Sequence, residues 1–179
     1  MGLDISAYSG LKKLDVVFNR DGEPIDPITR RELDYDSYIQ VSINPDFNGR
    51  ADELEHRGTY AFTDEMGFNA GAYSSYNRWR EQLAQLAGYP VGKSTNCGGQ
   101  EYDTHCAACW NGTTGPFSEL INFSDCEGTI GAAISKKLAS DFGTFDEKAE
   151  QIGGHFYERY RVWNKAFTLA SDNGCVQFH

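Results

Sequence analysis

Residues 144–170 read TFDEKAEQIGGHFYERYRVWNKAFTLA, and their periodicity decides the class of fold. Ala149, Ile152, Phe156, Tyr160, Trp163, Phe167 and Ala170 recur every three or four residues, which lines them along one face of an α-helix. Thr144 with Glu147 has the form of a capping box, so the spacing predicts a helix start near 144. Gly153-Gly154 interrupts the run. Each glycine costs about 1 kcal/mol relative to alanine inside a helix, so a kink or a close contact is expected there. Asn173-Gly174 ends the helix and leaves Val176-Gln177-Phe178 for a last strand.

Two further helices are expected upstream. One spans about 73–87, with Tyr76, Trp79, Leu83 and Leu86 on one face and Gly88 and Pro90 as stop signals. The other spans about 129–142, with Ile130, Ile134, Leu138 and Phe142 in one row. The N-terminal third alternates instead. Leu3, Ile5 and Ala7 share one face of a first strand, and Ile39, Val41 and Ile43 one face of another. Residues 14–18 and 58–62 read as shorter strands, while 46–58 and the long Gly/Cys/Asn-rich stretch 91–117 read as loops. The expected architecture is therefore α+β: one ligand-binding domain over residues 1–179, its mixed or antiparallel sheet covered by about three amphipathic helices. Trp79, Leu83, Phe156, Tyr160, Trp163 and Phe167 are expected in the core.

With 179 residues, 40% hydrophobic and 13% aromatic, the chain has a globular composition. A formal charge of −10 argues against general nucleic-acid binding, which needs a basic face. No apolar run is long enough to span a membrane and no signal peptide is visible, so a cytoplasmic setting with reduced thiols is expected for the five cysteines. Met1-Gly2-Leu3-Asp4-Ile5-Ser6 fits a myristoylation pattern, but its alternation favours a half-buried strand.

Two stretches offer ligand chemistry. Each leads from a phenylalanine (Phe68, Phe123) through small polar residues into an expected helix, where backbone N–H groups lack partners and can hold an anion. The first supplies Tyr73, Ser74, Ser75, Tyr76, Asn77 and Arg78; its hydroxyls and guanidinium suit phosphate and its tyrosines suit a base. The second supplies Ser124, Asp125, Glu127 and Thr129, whose carboxylates accept hydrogen bonds from hydroxyls or amines. The expectation is that both face one shared pocket. Cys126, with His105 or His155 as base, offers a nucleophile in an alternative catalytic reading. No cofactor is expected. Cys97 with the Cys106/Cys109 CxxC pair has ligands for zinc, but no second CxxC completes the pattern, and loop thiols are the favoured reading. Gly88–Ser94 lacks the spacing and the preceding strand of a phosphate-binding loop.

The Met-Gly-Leu-Asp start, the segment GAYSSYNRWREQLA from Gly71 and the segment FSDCEGTIG from Phe123 resemble uncharacterised accessory proteins of bacteriophages and prophages. The resemblance implies an accessory role in an infected bacterial cytoplasm, where such proteins often counter host defence, and it carries over no catalytic residue. The expected function is non-catalytic binding of a small phosphorylated or nucleotide-like ligand, as in sequestration of a host immune signal, with homo-oligomerisation left open. The alternatives are a small hydrolase or transferase using Asp125, Cys126 or Glu127, and an acidic protein–protein inhibitor of a host factor.

Overall fold

The computed structural model describes residues 2–179. In chain order the strands and helices are β1 (Gly2–Ser9), β2 (Lys12–Lys13), β3 (Val17–Phe18), β4 (Pro24–Ile25), β5 (Tyr38–Gln40), β6 (Thr59–Ala61) and β7 (Asp64–Ala72), then α1 (Tyr73–Leu86). They continue with β8 (Gly92–Thr95), β9 (Glu101–Thr104), α2 (Ala107–Trp110), α3 (Ser118–Ile121), β10 (Gly128–Gly131), α4 (Ala132–Ile152), α5 (Gly154–Ala170) and β11 (Cys175–Phe178). This is the α+β architecture expected, with three long helices and two single-turn ones.

The principal sheet is antiparallel, in the order β10-β11-β1-β7. Its side chains alternate between two hydrophobic clusters, as a period of two requires. Leu3, Ile5 and Ala7 of β1, with Val176 and Phe178 of β11, face the main cluster beneath the long helices. Tyr8 and Cys175 face a smaller cluster with Leu11, Ile39, Val41 and Tyr60. A second antiparallel sheet, β2-β6-β5, supplies Ile39 and Tyr60 to that smaller cluster. The C-terminal strand is thus central, between β10 and β1.

Trp163 of α5 anchors the main cluster. It stacks on Trp79 at 5.5 Å, on Tyr76 at 5.6 Å and on Phe167 at 5.7 Å, and meets Phe68 edge-on at 5.0 Å. The six residues expected in the core are all buried.

The structure moves three boundaries. The stretch 64–72 is a nine-residue strand running directly into α1, where only a polar helix entrance was expected. Residues 128–131 form a strand rather than the first turn of a helix. The capping box at Thr144 is not used: α4 continues through it to Ile152, and the Thr144 hydroxyl donates to the Ser140 carbonyl at 2.9 Å. The reason is that Leu138, Phe142, Phe145 and Ala149 keep one helical register across residue 144, so core packing sustains the helix. The break falls at Gly153, whose φ of 67° lies in the left-handed region, and α5 folds back on α4 so that Phe142 meets both Tyr160 and Phe167.

Candidate functional site

α1 enters from β7 through Ala72, which provides no side-chain cap. Two turns in, Arg80 is buried and reaches across to the segment before β10. It donates to the carbonyls of Phe123 at 2.6 Å and Ile121 at 3.3 Å and to the Asn77 side chain, and lies over the Tyr76 ring at 4.6 Å. Asn77 in turn donates to the Asp125 carboxylate at 2.9 Å. This network pins the turn 121–127 against α1. Ser124 shapes the turn from within, its hydroxyl oxygen accepting the backbone N–H groups of Cys126 at 3.2 Å and Glu127 at 3.0 Å.

Between α1 and this turn opens a cleft of about 810 Å³. Ser74, Asn77 and Arg78 line one wall and Ser124, Asp125 and Glu127 another, so six of the ten expected site residues share one cleft. Other walls come from stretches read as loops, Asp46 and Phe47 on one side and Tyr102 and Trp110 on the other, with Asn44 beside Asp46. Tyr102 and Trp110 are 41% and 40% exposed, large aromatic faces left open to solvent. The Trp110 indole N–H donates to the Ile121 carbonyl at 3.3 Å, which holds the ring at the rim.

The other expected residues have different roles. Tyr76 is 1% exposed and stacked on Trp163, so it packs the core and has no face for a base. Desolvation raises its phenol pKa, against the opposing influence of Arg80. Tyr73 packs partly buried against the same core. Ser75 accepts a hydrogen bond from Arg159 at 2.9 Å and faces a separate hollow. Thr129 is buried in β10 and donates to the Ser42 carbonyl at 2.7 Å, a tie to the segment that follows β5. The second helix entrance is corrected as well. α4 begins only at Ala132, and the Glu53 carboxylate accepts the Ala133 N–H at 3.0 Å. A carboxylate therefore already occupies the anion-attracting end of α4.

The cleft is lined by five carboxylates, Asp46, Glu81, Asp103, Asp125 and Glu127, against two guanidiniums, Arg78 and Arg80. Arg80 is committed to the protein itself. Glu81 is committed too: it accepts from the backbone N–H of His105 at 3.0 Å and from the Thr104 hydroxyl. Partial burial disfavours its charged form, but these hydrogen bonds outweigh that and hold its carboxyl below the usual range. Arg78 is exposed and makes no ion pair among the described residues, and Glu127 has an exposed carboxylate. The cleft therefore presents acceptors for hydroxyl and amine donors, aromatic faces, and one available cation.

Among the described residues neither His105 nor His155 is hydrogen-bonded to Cys126. His105 Nδ1 lies 2.6 Å from the Tyr89 carbonyl, His155 Nδ1 lies 2.8 Å from Glu158, and the partner of Cys126 Sγ is the Ser124 hydroxyl at 3.4 Å. Cys106, also on the cleft wall, is buried, and desolvation with the charge of Glu81 pushes its thiol up to about 12. Cys97 is exposed whereas Cys106 and Cys109 are buried, and no group of three or more His, Cys, Asp or Glu suited to a metal occurs among the described residues. No helix is long and apolar enough to cross a membrane among those residues. Comparison with protein-family models, curated proteins and solved structures gave no match for this chain.

Proposed function

We propose that the chain binds a small nucleotide-like molecule in the cleft between α1 and the 121–127 turn, without transforming it. The observation that carries the reading is the pairing of exposed aromatic faces, Tyr102 and Trp110, with the Asp125 and Glu127 carboxylates across one cleft of ligand size. A planar base stacks on the former, and ring amines or ribose hydroxyls donate to the latter. Arg78 adds a single charge for a phosphate. Non-catalytic binding is favoured because neither His105 nor His155 is hydrogen-bonded to Cys126 and Glu81 is held in its charged form by protein donors. Set beside the resemblance to phage accessory proteins, such a ligand would be a host signal held out of circulation.

The test is incubation of the purified protein with cellular nucleotide pools, removal of free solutes, denaturation and mass spectrometry of what is released. An intact nucleotide supports the proposal. A chemically altered one supports the hydrolase or transferase alternative, and the absence of any ligand supports a protein partner for the acidic surface.

A further inference from the structure

On the other flank of α1, Ser75, Arg78, Gln82, His155 and Arg159 surround a hollow of about 140 Å³. In a chain of net charge −10, no carboxylate lines it. It is far smaller than the 810 Å³ cleft and of a size to suit a single oxyanion. Arg159 is half-buried, donates to the Ser75 hydroxyl at 2.9 Å, and makes no ion pair among the described residues. A Cβ at Gly71 would lie 3.1 Å from its Nη2, so the guanidinium rests over the junction of β7 and α1. That junction has no side-chain cap. His155 faces Glu158, which lines an adjoining hollow together with Arg159, but neither Arg78 nor Arg159 makes an ion pair with it. A half-buried guanidinium held in place but left without a counter-charge is an arrangement that an incoming anion completes. Arg78 belongs to this hollow and to the large cleft alike.

We infer that Ser75, Arg78 and Arg159 form an oxyanion subsite for a phosphate group, joined through Arg78 to the cleft between α1 and the 121–127 turn. Its consequence for the ligand, which rests on the cleft reading above, is a phosphorylated nucleotide whose phosphate passes around Arg78, away from the acidic cleft. Phosphate recognition thus falls to residues on two helices. Ser75 and Arg78 come from α1 and Arg159 comes from α5. The Ser75 oxygen accepts from Arg159, leaving its own O–H to donate to the anion.

The probe is inorganic pyrophosphate, titrated calorimetrically into the intact protein at low salt. Wild type is expected to bind one equivalent, with affinity falling as salt rises. Arg159→Met and Arg78→Met should each weaken binding by roughly tenfold or more, the loss of one charge-assisted contact. Arg159→Lys should recover part of that loss, and Lys13→Met, in β2, should leave pyrophosphate affinity unchanged. Thermal melts identify any variant that fails to fold, and exposed Arg78 provides the control for Arg159. Absence of pyrophosphate binding to wild type at millimolar concentration overturns the subsite, as does equal binding by both methionine variants. The two readings separate cleanly. Pyrophosphate binding that depends on Arg159, with no nucleotide recovered from pools, keeps the subsite and removes the cleft; nucleotide recovery insensitive to both arginines does the reverse.

Discussion

Replacing Arg80 with methionine keeps most of the side-chain volume and removes the group that ties α1 to the cleft's far wall. The guanidinium serves the carbonyls of Phe123 at 2.6 Å and Ile121 at 3.3 Å. Hydrogen bonds to charged groups are worth about 1.5–3 kcal/mol each, so losing the two to backbone carbonyls costs about 3–6 kcal/mol, while the third acceptor, the side chain of exposed Asn77, turns to water. Two effects reduce this. The buried Arg80 Nε has no partner, so its desolvation cost, about 1–3 kcal/mol, disappears with the side chain. The Ile121 carbonyl also keeps the Trp110 indole as a donor at 3.3 Å. Asp125, 3.9 Å from the guanidinium and 39% exposed at its side chain, rehydrates at little cost. The expected net loss is about 2–4 kcal/mol. Urea denaturation measures the global effect, and hydrogen exchange at 121–127 measures the local one. The turn should lose protection before the sheet does. Stability within about 0.5 kcal/mol of wild type, with unchanged exchange in the turn, would refute Arg80 as the element that shapes the cleft.

Other perturbations test the frame around it. Trp163→Ala removes the ring shared by Trp79, Tyr76, Phe167 and Phe68 and should cost about 3–5 kcal/mol by denaturant titration. Gly174→Ala would place a Cβ 1.8 Å from the Tyr8 carbonyl oxygen, so a loss of about 1–3 kcal/mol or more is expected in the same titration. In thiol alkylation of the native protein near pH 8, exposed Cys97 and Cys126 should react. Buried Cys175, pushed up to about 12 mainly by desolvation, should react only after unfolding. The Glu81 carboxyl titrates below its ordinary 4.5, its hydrogen bonds prevailing over desolvation. It therefore stabilises the fold above that pH and ceases to as pH falls through the lowered folded value. Glu81→Gln should be less stable than wild type at pH 7, and the difference should close as the solution is acidified below about pH 4.

Periodicity made the helices and the inner strands legible. Trp79 and Leu83, or Leu3, Ile5 and Ala7, are buried where their spacing puts them. What periodicity cannot distinguish is a short apolar segment's state, and there the reading slipped. Ile130 fits a helical row, yet it pairs with Val176 in the sheet because the C-terminal strand needs a second neighbour. Thr144 and Glu147 look like a helix start, but a capping signal yields to an apolar face that continues across it. The cleft was half legible. Its polar walls follow from local composition at 74–78 and 124–127. Its aromatic rim does not, because Tyr102 and Trp110 sit in a segment without periodic signal, organised by the β8–β9 hairpin and α2. Arg159 had no local signal either, since it reads as one charge on a solvated helix face until the fold brings it to Ser75.

The most direct test of the binding cleft is amide chemical-shift mapping of the labelled protein titrated with the four common ribonucleoside monophosphates. Shifts for at least one of them should concentrate at 74–81, 102–110 and 122–127, extend to Arg159, and diminish in Glu127→Gln and Arg78→Met variants that melt like wild type. Spectra unmoved by every nucleotide at millimolar concentration, or shifts confined to surfaces away from α1 and the 121–127 turn, would contradict the account.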